Sequence, residues 1–157
     1  MALPPPSAGP IQGTAALRLI GISLCMGATL FLGMALFLPL EQAAPEREPG
    51  SLATLLSMVH AGFFGMAFAA VLFIGRPRLE AARQARDQMR LNQAMILRWA
   101  GLEAPALLGI AVLLTARLEG SLAGTPLLYA NLGSYVFFLA ALILDLGSPL
   151  DASEPAP

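Results

Sequence analysis

Charged side chains are all but excluded from four long stretches of this 157-residue chain, residues 19–40, 51–75, 94–116 and 122–146. The hydrocarbon core of a bilayer is roughly 30 Å thick and takes about 20 apolar residues to cross as a helix. Each stretch has the length of a membrane-spanning helix. The expected fold class is therefore all-α: an integral membrane four-helix bundle occupying residues 17–147. Only 12% of the residues are charged, against about 25% in an ordinary soluble domain, and the four stretches leave no length for a separate soluble unit. At about 22 residues, the first stretch exceeds the roughly 7–15 residue core of a cleaved signal peptide, so it reads as a retained span.

The flanks carry the polar residues. Residues 1–16 are rich in Pro, Gly and Ala and lack apolar periodicity, so an unstructured lead is expected, as it is for the Pro-rich acidic tail 148–157. Residues 41–50 (EQAAPEREPG) form an acidic loop, and residues 117–121 a short turn. Between the second and third spans, residues 76–98 hold six Arg against Glu80 and Asp87. Glu80–Arg83, Arg83–Asp87 and Asp87–Arg90 fall at three- or four-residue spacing, which supports a solvated helix. That spacing predicts a helical extension over 77–93 running straight into the third span, with Pro77 in its first turn. Basic residues are retained on the cytoplasmic side. The two opposite loops carry only Arg47 and Arg117, so the expected topology puts both termini and the Arg-rich connection in the cytoplasm. Arg76, Arg78, Arg98 and Trp99 are the expected membrane-interface residues.

Helices in lipid associate through close packing at small residues. The candidate stripes are Gly21, Cys25, Thr29 and Gly33 on the first span, and Ser57, Ala61, Gly65 and Ala69 on the second. Gly101, Pro105 and Gly109 form the third.

Four polar residues inside the spans are the ion- or proton-site candidates: Glu103, Tyr135, His60 and Asn131. Ionisable groups within a membrane are costly and mark function by default. Glu103 stands first, because desolvation favours the neutral acid, the form a proton carrier must load. Pro105 lacks a helical donor and is expected to kink the helix and free the Gly101 carbonyl. At 100° per residue Glu103 points away from the Gly101–Pro105–Gly109 stripe, toward lipid or another subunit if that stripe packs inward. Tyr135, Thr29 and Arg98 are the bonding partners within its reach in this chain. His60 and Asn131 fall at matching depths, about 22 Å from the cytoplasmic ends of their helices. A series of Glu103, Tyr135, Asn131 and His60 would be a proton path; interhelical hydrogen bonds are the simpler use of the same residues.

The single His, the single Cys and the absence of clustered carboxylates offer no metal-ligand spacing. There is no phosphate-binding glycine loop and no nucleophile elbow, so no catalytic residue is expected, no cofactor is implied and nucleic acid is not an expected partner. The run RWAGLEAPALLG at residues 98–109 resembles a segment of small, uncharacterised four-span bacterial membrane proteins. Residues 98–117 are also similar to the ion-carrying helix of rotary ATP synthase c subunits, a resemblance that implies Glu103 as a proton or sodium carrier. The alternating-glycine helix of that family is absent, and its carboxylate lies on the second or fourth helix, not the third. The leading expectation is an accessory or assembly subunit in a bacterial inner membrane, in contact with lipid and with other membrane subunits or copies of itself. The alternatives are a proton- or ion-handling protein using Glu103 and a bundle that binds a pigment or quinone in an apolar interhelical cleft.

Overall fold

The computed structural model describes residues 10–37, 39, 51–122 and 125–148. The loop 41–50, most of the lead and the tail beyond residue 148 lie outside the described residues. Five α-helices follow in order: α1 (Pro10–Phe37), α2 (Ser51–Ala70), α3 (Arg76–Gln84), α4 (Gln88–Leu118) and α5 (Leu132–Leu146). The fold is all-α, with four packed helical segments each long and apolar enough to cross a membrane: Thr14–Phe37, Leu52–Gln84, Gln88–Leu118 and Pro126–Leu146. Side-chain contacts give their directions. Trp99 lies near Gly21 and Arg117 bonds to the Ala35 carbonyl, so α1 and α4 run the same way. Glu119 reaches the start of α2, and Asp145 at the end of α5 meets Arg98, so α2 and α5 run the other way.

Helix α4 is the axis against which α1, α2 and α5 pack. Its buried residues include Leu91, Met95, Trp99, Leu102, Ala106, Gly109, Leu113 and Ala116, at the three- and four-residue intervals of one helical face. Phe138, Leu142 and Ala141 of α5 and Leu17 and Ala28 of α1 complete the core against it. Between α2 and α5 the contact is aromatic: Phe64 and Phe68 both pack edge-on against Phe137, with centroids 5.9 and 5.2 Å apart. Such edge-on geometry places the positive ring edge on the negative ring face.

The Arg-rich connection departs from the expected single extension into the third span. The helix of the second span continues through a π-helical turn, Val71–Gly75, into α3. Pro77 explains the turn: its ring crowds the carbonyl four residues back and it has no N–H to give. The wider turn, closed by the Arg76 N–H on the Val71 carbonyl, absorbs that mismatch. The chain then breaks at Arg86, whose φ is 52°. Asp87 N–H returns to the Ala82 carbonyl and Arg86 N–H to the Arg83 carbonyl, the two bonds of a Schellman helix end. Asp87 restarts the chain as the N-cap of α4, its carboxylate accepting from the Arg90 N–H at 3.1 Å. The break separates Arg83 from Asp87, and Glu80 pairs backward with Arg76 at 2.9 Å instead of forward with Arg83. Asp87–Arg90 forms as expected, at 3.1 Å.

Other boundaries also shift. Helix α1 already includes residues 10–16, and α4 starts at Gln88, within the stretch 77–93 expected to be continuous helix. The fourth segment opens as a 3-10 turn, Pro126–Asn131, before α5. At 1.5 Å per residue α4 is about 46 Å long, well over a hydrocarbon core of roughly 30 Å. On α2 the expected small-residue stripe is not the packed face: Ala61 and Gly65 are exposed, while Ala53 and His60 are buried, as is Val71 of the π-helical turn that follows. The polar ring of His60 needs partners that lipid cannot give, and it turns this face inward.

Candidate functional site

Three polar assemblies occupy the spans, and Glu103 belongs to none of them. The first joins α2 to the start of α5. His60 Nδ1 lies 2.7 Å from Asn131 Oδ1, and His60 Nε2 lies 2.9 Å from Ser134 Oγ. The Asn131 amide nitrogen donates to the Leu128 carbonyl at 2.8 Å and to Ser57 Oγ at 2.9 Å. Because Leu128 offers only an acceptor, the amide orientation is fixed and Oδ1 must accept from His60. Nδ1 therefore carries the ring proton. Ser134 Oγ also stands 3.0 Å from the Asn131 carbonyl and 3.2 Å from that of Pro105. With the proton on Nδ1, Nε2 is the acceptor and the Ser134 hydroxyl donates to it, and His60, Asn131 and Ser134 are each at most 4% exposed.

Gly109 makes this assembly possible. A Cβ there would meet the Asn131 carbonyl oxygen, and would lie 2.9 Å from Ser134 Oγ and 3.1 Å from His60 Nε2. Pro105 and Gly109 are buried as their stripe suggested, whereas nothing lies within 4 Å of a Cβ at Gly101. Helix α4 runs unbroken through Pro105, whose own carbonyl is within reach of Ser134.

The second assembly links α1 to α5. Thr29 Oγ1 donates to the Cys25 carbonyl at 2.7 Å, so the 2.8 Å contact with Tyr135 is a bond from the phenol to Thr29. Tyr135 is thereby committed to α1 and is not joined to the His60 group.

The third assembly was not foreseen in the sequence. Trp99 Nε1–H donates to Asp145 Oδ2 at 2.9 Å, and Arg98 Nη1 is 3.2 Å from Asp145 Oδ1. Trp99 is fully buried, so it is not the interfacial anchor expected of it; the buried carboxylate supplies the acceptor its N–H would otherwise find among headgroups. Arg98 turns to Asp145 and not to Glu103. Arg76 and Arg78 are exposed beyond the apolar part of α2. Asp145 carried a detectable signal, an acid one residue from the end of a span, at the end where Arg98 enters.

Glu103 is half-buried at the margin of the packed face of α4. Among the described residues it makes no hydrogen bond or ion pair, and its three expected partners are occupied elsewhere. The series Glu103, Tyr135, Asn131 and His60 is thus joined only at Asn131 and His60. No group of three or more His, Cys, Asp or Glu side chains converges among the described residues. No family model, characterised protein or solved structure matches this chain.

Proposed function

We propose that this chain is a structural subunit of a larger assembly in a bacterial inner membrane, and that Glu103 meets a helix of a neighbouring subunit. The observation that carries this reading is the contrast within the spans. His60, Asn131, Ser134, Thr29, Tyr135, Trp99 and Asp145 find partners within the chain, whereas Glu103 finds none among the described residues. An uncompensated carboxyl facing lipid is expensive, and a polar donor from an adjoining helix removes that cost. The distribution of Arg supports an orientation with the α3–α4 elbow and both termini in the cytoplasm.

Mild solubilisation followed by native electrophoresis tests the association. The chain is expected in a complex well above its 16.4 kDa. Glu103→Leu should release it as a folded monomer, and Glu103→Gln, which keeps hydrogen-bonding capacity, should retain most of the complex. A wild-type chain that leaves native membranes as a stable monomer overturns the reading.

The unpartnered carboxyl also favours a second reading, proton or ion handling by Glu103, to which the local resemblance to the c-subunit helix lends support. A hydrophobic carbodiimide at mildly acidic pH should then label Glu103, and Glu103→Gln should abolish proton flux in reconstituted vesicles. Unmodified Glu103 with unchanged flux rejects it.

A further inference from the structure

We propose that the elbow between α3 and α4 is a seat for the phosphate headgroup of an anionic membrane phospholipid. The two helices enclose an open cleft of about 530 Å³ whose walls include Arg78, Arg90, Gln93, Ala81, Ala94 and Leu97. That size suits a small-molecule ligand. The lining is ordered along the membrane normal. Arg78 and Arg90 stand beyond the apolar part of the helices, and Gln93 adds an amide one turn further in. Ala94 and Leu97 continue toward Arg98, from which α4 has about 20 residues, one bilayer core, left to run to Leu118. Leu97 is 54% exposed, an apolar side chain placed where an acyl chain would leave the cleft.

Charge selects an anion. Arg76 is paired with Glu80, Arg90 with Asp87 and Arg98 with Asp145. Arg78 has no acidic partner among the described residues. The Arg90 pair is open to water, its guanidinium side chain 73% exposed, so it is weakly held. A phosphate between Arg78 and Arg90 would gain charge-assisted bonds from two forked guanidinium groups. A free phosphate satisfies the cationic rim alone; a lipid also covers the exposed Leu97, and for that reason the lipid is the assigned occupant. The break at Arg86 folds α3 back on α4 and thereby forms the cleft, which a straight helix over 77–93 would lack.

The test is native mass spectrometry of the full chain released from nanodiscs holding equal phosphatidylglycerol and phosphatidylcholine. Wild type should retain one phosphatidylglycerol, enriched about thirtyfold, the factor that corresponds to roughly 1 kcal/mol for each of two arginines. Arg78→Gln with Arg90→Gln should lose the enrichment, while Arg76→Gln, outside the cleft, should keep it. Ala81→Trp, which fills the cleft from its exposed wall without changing charge, should also lose it. Circular dichroism confirms that each variant is folded. Equal retention of the two lipids by wild type, enrichment surviving the double substitution, or enrichment surviving Ala81→Trp would each overturn the proposal. Displacement of the lipid by millimolar inorganic phosphate would show that the cleft reads a phosphate alone and would overturn the lipid assignment.

Discussion

Trp99 and Asp145, 46 positions apart in sequence, are joined by a 2.9 Å bond from the indole N–H to the carboxylate, buried between α4 and the end of α5. The same carboxylate holds the Arg98 guanidinium, whose Nε has no hydrogen-bond partner among the described residues. Asp145 therefore answers two donors, and its loss strands both.

Asp145→Leu should lower stability by about 3–5 kcal/mol, since removing one member of a buried pair leaves the other charge uncompensated. Asp145→Asn should cost less, because the amide oxygen still accepts from Trp99. The protein contains one Trp, so its fluorescence during thermal unfolding in detergent reads this contact directly. Equal melting temperatures for wild type and Asp145→Leu would show that the pair is not structural.

Arg86 sits in the left-handed region, φ 52°, at the position after the end of α3 that glycine usually fills. A side chain there costs about 1–2 kcal/mol, partly offset by the greater freedom glycine has when unfolded. Arg86→Gly should raise stability by up to about 1 kcal/mol, seen as a higher thermal midpoint. A fall in the midpoint would mean that the Arg86 side chain supports the elbow.

That elbow also shows where a sequence stops being legible. The turn after α4 has the same pair of bonds, with Gly120 at φ 68°, and there the glycine announces the turn in advance. Around Arg86 the residues are good helix formers with favourable charge spacing, so local propensity argues for continuity. The break is imposed by tertiary packing: Leu79 and Ala82 of α3 are buried together with Leu91 and Ala94 of α4. Four apolar spans were legible because lipid demands length and hydrophobicity, properties a sequence states outright. Depth was legible too, and it brought His60 level with Asn131. Azimuth was not. Which face of α2 turns inward, and whether Tyr135 looks toward α1 or toward His60, depend on neighbours that the periodicity of one helix does not specify.

The His60–Asn131 bond gives a quantitative check on that geometry. A double-mutant cycle using His60→Ala and Asn131→Ala should show a coupling of about 0.6–1.7 kcal/mol, the range of interhelical hydrogen bonds in a membrane protein. Asn131→Ala alone should be the costlier single change, since it also unties Ser57 and the Leu128 carbonyl. Additive single effects would mean that the two side chains do not meet.

Gly109 and Gly101 lie two helical turns apart on α4 and should respond oppositely to the same substitution. Gly109→Ala drives a methyl group into the Asn131 carbonyl, an atom of backbone that cannot rotate away, and presses on Ser134 Oγ and His60 Nε2. Helix α5 must move off α4, or the His60 group must open, at a cost of about 1–3 kcal/mol or more. Gly101→Ala meets nothing within 4 Å and exchanges glycine for a better helix former, so it should be neutral or add up to about 1 kcal/mol. Thermal unfolding of the two variants side by side is the measurement. If both are tolerated alike, the close approach of α4 to the Asn131 turn is wrong, and the hydrogen bonds of His60 that depend on it are wrong as well.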